Sequence, residues 1–300
     1  MVLVWGWRAL ETAVLLAISL VYLRGWWQVR QPFRLFPLSW FSMGAFYLGV
    51  LVYGVAVVSP LADLSRQYFS LRVTQHLLLV TWAPVLLLVG NPYAVLRAGV
   101  SGLWPGLKKR PFSRVSTLSP WLIRVTAPAP AWFLFTATFW LWYDPVLHQA
   151  GLHSSLVATV EQLTLSMSAL LYWWHILSVS PRVHPEMPPL VHAAYALIGA
   201  WPIKVTGLIL LFGNSQVYAY PNPMWLPGLG LDDYRLAAMI AWVLGGIVYS
   251  TTAVLLVRRW LSAEEAKPVL PESEWATPYS LIAPGLEHRL PPEENPRQTK

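Results

Sequence analysis

Val73–Leu96 reads VTQHLLLVTWAPVLLLVGNPYAVL and carries no charged side chain. A helix needs about 20 apolar residues to cross the hydrocarbon core of a bilayer, where only a fully hydrogen-bonded backbone survives. Working outward, the charge-free pattern recurs from Leu35 to Ala62, Val125 to Tyr143, Gln162 to Ser180, Val205 to Leu231 and Leu236 to Val257. The pattern predicts an all-α polytopic membrane protein with seven helices at roughly 9–27, 38–58, 73–93, 127–147, 154–179, 189–213 and 233–258. The first is read as a retained helix and not as a signal peptide: Arg8 is its only preceding positive charge and no small-x-small cleavage site follows.

Composition agrees. Of 300 residues, 56% are hydrophobic and 12% charged, about half the charged fraction of a soluble domain. One membrane domain is expected over 1–262. Residues 263–300 form a Pro- and Glu-rich tail that cannot bury enough apolar area to fold alone. Cysteine is absent, which excludes disulfides, thiolate zinc sites and iron–sulfur clusters and leaves His, Met or carboxylate as metal ligands. The net charge of +7 is read as cytoplasmic loops against anionic lipid headgroups, with no nucleic-acid partner. Tryptophans at segment ends (Trp5, Trp7, Trp26, Trp27, Trp140, Trp142, Trp173, Trp174) are read as interfacial anchors.

Lys and Arg set the orientation. They crowd the loops after helices 1, 3 and 5 (Arg24, Arg30 and Arg34; Arg97, Lys108, Lys109, Arg110, Arg114 and Arg124; Arg182) and the end of helix 7 (Arg258, Arg259). The positive-inside rule then places the N-terminus outside and the C-terminus in the cytoplasm of a bacterial inner (plasma) membrane. The stretch around Gly99–Pro120 becomes a cytoplasmic loop, and Asn214–Leu231 an irregular outer one.

An ionisable residue inside a span costs several kcal/mol unless paired, so it is a functional candidate by default. Arg72 and His76 are four apart and share a helical face. Glu161 lies two turns into helix 5, Lys204 inside helix 6, and Asp233 starts helix 7. Glu161 reads equally as a structural partner of Arg72 or Lys204, and Asp233 as an acid favoured by its own helix dipole. His148 and His153 sit at the outer interface, as ligands or as solvated residues. His175 is read as interfacial, and His184 and His192 as lying away from this cluster. Met167, Met224 and Met239 follow no copper-binding spacing and read as packing. No nucleophile elbow, phosphate-binding loop or H-E-x-x-H pattern occurs, so no enzyme is expected.

Three stretches then matter together. Ser70–Pro84 (SLRVTQHLLLVTWAP) continues into Leu86–Pro92 (LLLVGNP); Glu161 runs to Leu171-Tyr172-Trp173-Trp174; Asp233 runs to Trp242; and Val57–Ala62 (VVSPLA) precedes them. They resemble the multi-span CtaG family of cytochrome c oxidase assembly factors over roughly residues 38–258. The resemblance implies a noncatalytic membrane protein that helps make active haem–copper oxidase, with oxidase subunits and the bilayer as partners and copper as the candidate cofactor. It marks Gln75, His76, Glu161 and Asp233 as functional positions. Where the family carries further histidines this chain has Arg72, Ala158 and Gln162; Tyr234 and Ala238 depart too. An Arg–carboxylate network is therefore expected to replace part of the polar site, with Lys204 nearby. His76, His148 and His153 remain as copper candidates, with Glu161 or Met167 behind them. The rival functions are a small-ion transporter or channel relaying charge through Lys204, Glu161 and Asp233, and a noncatalytic structural subunit of a respiratory complex.

Overall fold

The computed structural model describes residues 2–29, 40–101, 120–181, 183–212, 217–220 and 232–266, with side chains from Arg8 onward. All regular structure among them is helical. The expected tail disorder beyond Ala266, and most of the expected loops at Gly99–Pro120 and Asn214–Leu231, lie outside the described residues. The chain divides into two compact units, Met1–Val257 and Arg258–Lys300.

Helices α1 (Val2–Val29) and α2 (Trp40–Val57) match the first two expected spans. The chain breaks at Ser59, whose hydroxyl accepts from the Leu61 amide at 3.1 Å, and restarts at Pro60 in a short α3 (Pro60–Leu64). This is a cap followed by proline at the first helical position, where its missing N–H costs nothing. The third span is one rod, Phe69–Val89. It comprises α4 (Phe69–Leu77), a π-helical turn (Leu78–Trp82) and α5 (Ala83–Val89). Asn91 then takes a left-handed φ of 49°, which asparagine tolerates, and Pro92 opens α6 (Pro92–Ser101). Sequence reading placed a loop from Gly99, yet α6 packs along α1. A Cβ on Gly25 would collide with the Val95 carbonyl, and one on Gly99 with the Val21 carbonyl.

Beyond α7 (Pro120–Val125) come α8 (Pro128–Trp142), α9 (Pro145–His153) and α10 (Ser155–Leu177). The expected single helix over 127–147 is thus two. Asp144 accepts from the Val146 and Leu147 amides at 3.0 and 3.2 Å, and Pro145 begins the new helix. The sixth span likewise breaks into α11 (Pro189–Ile198) and α12 (Trp201–Phe212), and α13 runs Asp233–Glu265. Helix therefore continues past the domain edge expected at 262.

Among the described residues, five helical stretches are long and apolar enough to cross a membrane: Arg8–Val29, Trp40–Leu64, Phe69–Val89, Pro189–Phe212 and Asp233–Glu265. The other two of the expected seven do not qualify on length and apolarity. Helix α8 is 15 residues long, about 22 Å at 1.5 Å per residue against a core of about 30 Å. Helix α10 is long enough but carries Glu161, Gln162 and several hydroxyls.

The largest core cluster is built from α4, α5, α8, α10, α12 and α13, around Phe69, Leu77, Phe135, Leu165, Trp173 and Tyr249. Large apolar side chains also face outward, among them Leu20, Phe41, Leu51, Ile209 and Val254. The tryptophans split accordingly. Trp27 and Trp140 are exposed as expected of anchors, whereas Trp26, Trp142 and Trp173 are buried.

Candidate functional site

Helix α4 presents Arg72, Gln75 and His76 on one face, because residues three and four apart share a side of a helix. All three are buried, and Glu161 reaches them from α10 with none of its surface exposed. The Arg72 guanidinium donates through Nη2 to Glu161 Oε2 and through Nη1 to Gln75 Oε1 at 3.2 Å. Gln75 Nε2 in turn donates to the Ala56 carbonyl at 2.6 Å. That carbonyl lies four residues before Pro60, which has no N–H to offer it. One chain of bonds therefore joins α10, α4 and the end of α2. His76 Nε2 approaches Glu161 Oε1 to 2.9 Å, but off the line a hydrogen bond requires, so both atoms are without hydrogen-bond partners, as is His76 Nδ1. Helix α9 lies directly on the ion pair: a Cβ on Gly151 would stand 2.8 Å from Glu161 Oε2 and 3.0 Å from Arg72 Nη2. A side chain at this position would force the ion pair to shift.

His148 is fully buried and not solvated. Its Nδ1 lies 3.1 Å from the Trp142 carbonyl and its Nε2 2.7 Å from the Tyr220 hydroxyl. Since a carbonyl only accepts, Nδ1 carries the proton; in the neutral ring Nε2 then accepts from Tyr220. Both nitrogens are spent. Phe69, Tyr143 and Tyr218 pack around the two imidazoles, with Tyr143 5.5 Å from His76 and Tyr218 4.5 Å from His148 between ring centroids.

Asp233 has a different task from the one its position suggested. Its carboxylate accepts from the Phe69 amide at 2.6 Å and the Ser70 amide at 3.2 Å. It thereby caps the N-terminus of α4, where the adjoining Tyr68 supplies no side-chain bond. The neighbouring Asp232 caps α13 itself, accepting from the Arg235 amide at 2.7 Å.

The remaining candidates are not brought to this cluster. Lys204 donates to the Trp242 carbonyl and lies over the Trp242 ring at 4.5 Å, so Glu161 pairs with Arg72 and not with Lys204. His153 is exposed at the end of α9. Met167 is 68% exposed on the outer face of α10. Among the described residues no group of three or more His, Asp or Glu is placed to hold a metal ion. The cluster itself does not fit a copper centre: it offers one unengaged imidazole, and the carboxylate beside it already neutralises a buried guanidinium. A second cation there would face Arg72 in a medium that screens little.

Sequence reading missed Gly151, Tyr220 and the bond of Trp173. The last had a signal. Pro84 cannot donate to the Val80 carbonyl four residues earlier, and Trp173 Nε1 donates to that carbonyl instead, at 2.9 Å.

The family profile for the cytochrome c oxidase caa3 assembly factor, Caa3_CtaG, matches residues 20–263. The chain belongs to the CtaG family. It is 21% identical over 268 residues to an uncharacterized protein of Mycobacterium leprae, and 24% identical over 282 residues to one from Mycobacterium bovis and one from Mycobacterium tuberculosis. Each comparison covers 86% of this chain but 39% of the relative, so the chain spans well under half the length of these proteins. No solved structure matches. In this CtaG member, several of the positions that carry the resemblance gather around α4. Gln75 and His76 sit on α4, Glu161 faces them, Asp233 caps their helix, and one turn further on Trp173 donates to the Val80 carbonyl that Pro84 cannot serve.

Proposed function

We propose that this CtaG-family chain is a noncatalytic assembly factor that scaffolds a cytochrome c oxidase in a bacterial plasma membrane. In this reading it crosses seven times, N-terminus out and C-terminus in, and the α4–α9–α10 cluster supports the outer surface facing the oxidase's copper-bearing domain. One observation favours scaffolding over copper carriage at that cluster. The buried Arg72–Glu161 pair, with Gln75 and Ala56, ties three helices together and leaves one imidazole unengaged. The charge relay of a transporter would need Lys204 beside Glu161 and Asp233, and Lys204 is bonded elsewhere.

The test is oxidase activity in membranes lacking the chain, with and without added copper, then with Glu161→Gln supplied in its place. Scaffolding predicts lost activity that copper does not restore, and no rescue by Glu161→Gln. Full restoration by copper alone would replace scaffolding with metal delivery. Co-purification in stable stoichiometry with the mature oxidase would replace it with a structural subunit.

A further inference from the structure

Lys204 is the only Lys, Arg, Asp or Glu in the apolar stretch Pro189–Phe212. It stands eight residues short of Phe212, about 12 Å in from that end at 1.5 Å per residue, and so inside a hydrocarbon core of about 30 Å. Its side chain does not climb to the nearer surface. Helical side chains lean toward the N-terminus of their helix, here away from Phe212, and the Lys204 ammonium comes to rest on α13. It donates to the Trp242 carbonyl, lies over the Trp242 ring at 4.5 Å, and would stand 2.5 Å from a Cβ on Gly246. Trp242 and Gly246 are nine and 13 residues beyond Asp233, the start of α13, about 13 to 20 Å along its axis. Counted along either helix, the ammonium is held at membrane depth.

One hydrogen bond leaves two of the ammonium's three donors unspent, and no carboxylate among the described residues lies within ion-pair distance of it. Arg72, by contrast, is buried with Glu161 against it. Lys204 is only half-buried, on an open face of the bundle, and a cation facing lipid is costly unless an opposite charge meets it. The surface around it suits a helix. Leu208 and Leu211 continue its face of α12, and Val243 and Ile247 flank Gly246 on α13, all four exposed. Ser250, also exposed, follows Gly246 by four residues on the same side of α13, the small-x-x-x-small spacing that lets membrane helices approach closely.

We infer that Lys204, Trp242, Gly246 and Ser250 form an intramembrane docking face for one transmembrane helix of a different protein, which carries an Asp or Glu level with the Lys204 ammonium. Charge complementarity selects that occupant. A lipid phosphate stays at the interface, about 12 Å or more away along the helix. A second copy of this chain lacks the matching group among its described residues: Glu11, Asp63 and Asp233 lie within a turn of the ends of their stretches, and Glu161 is buried against Arg72.

The photo-crosslinker p-benzoylphenylalanine, placed at Leu208 of the full-length chain in its native membrane, is expected to form an adduct with another protein. Mass spectrometry of the joined peptide should place it in an apolar segment of about 20 residues with an Asp or Glu within two turns of the crosslink. Lys204→Met should lower the adduct yield about 5–30-fold, the worth of an interhelical polar contact in lipid, and Lys204→Arg should keep it. Lys204→Glu should abolish it, and changing the partner's carboxylate to Lys should restore it. Purified Lys204→Met should unfold at the same SDS fraction as the parent, because the ammonium serves a partner and not the fold. Adducts with lipid alone, with a second copy or with a segment lacking a carboxylate would overturn the assignment, as would a yield that Lys204→Met leaves unchanged. Unfolding of Lys204→Met well before the parent would make Lys204 a tie between α12 and α13 and overturn it too. None of these readouts depends on oxidase activity, so the docking face and the scaffolding role fail separately.

Discussion

At the scale of single residues, three prolines explain three otherwise scattered hydrogen bonds. Pro60, Pro84 and Pro202 each deprive a carbonyl four residues earlier of its helical donor. Each carbonyl finds a side chain from elsewhere: Gln75 on Ala56, Trp173 on Val80, and Trp132 on Ile198. In a dry interior an unpaired carbonyl costs about 1–3 kcal/mol. Trp173→Phe should therefore destabilise the protein by about that much, in addition to any loss from packing. Pro84→Ala restores a backbone N–H beside Val80, so in the Trp173→Phe background it should recover part of the loss. The coupling shows in a double-mutant cycle of SDS-induced unfolding, and strictly additive effects would disprove the compensation. The ion pair obeys a harsher rule. Glu161→Gln alone leaves the Arg72 guanidinium buried beside a neutral amide, a loss of about 3–5 kcal/mol. Replacing both partners, with Arg72→Met and Glu161→Met, should cost less than Glu161→Gln by the same unfolding measurement.

Between residues and the whole lies the helix, and here Asp233 is the informative case. A cap usually comes from the helix it serves, but α4 takes its cap from α13. Losing such a bond costs about 0.5–2 kcal/mol, and the damage should be local. Asp233→Ala should speed amide hydrogen exchange at Phe69 and Ser70 before it touches α13, which keeps Asp232. Asp233→Asn, able to accept one of the two bonds, should fall between. Equal protection in Asp233→Ala and the parent would refute the capping role. The same scale shows what was legible. Hydropathy found the long helices, because lipid-facing segments must be apolar over their whole length. It carried no information on breaks inside such runs, so α8 and α9 merged, although Asp144-Pro145 is a cap and first-position proline. Helix α6 was lost because Gly99 reads as a loop signal, whereas it is needed for the approach of α1. The choice of Arg72 over Lys204 as partner of Glu161 is tertiary, and no spacing within one helix encodes it.

For the whole molecule the open physical matter is how many helices cross. Helix α10 fails on average apolarity, but average is the wrong measure for a helix with two environments. Leu156, Val160, Leu163 and Met167 are exposed along one side, while Glu161, Leu165, Ser168 and Tyr172 are buried on the other. Their spacing of three and four draws an apolar stripe suited to lipid, with the polar groups turned inward where partners await them. Met167 is part of that stripe, which accounts for its exposure without any ligand role. Helix α8 shows a similar outer face in Phe133, Leu134 and Leu141. A seven-span chain with an external N-terminus puts residue 155 outside and residues 116 and 273 inside. If α8 and α10 did not cross, residues 116 and 155 would share a side. The chain contains no cysteine, so single-cysteine variants label without background. Ser155→Cys should react with an impermeant maleimide in intact cells, whereas Ser116→Cys and Ser273→Cys should react only after permeabilisation. Protection of Ser155→Cys in intact cells would reduce the count to five and, with Arg72 still at the outer start of the third span, set the start of α10 on the opposite side from it, removing the joint surface on which the scaffolding role depends.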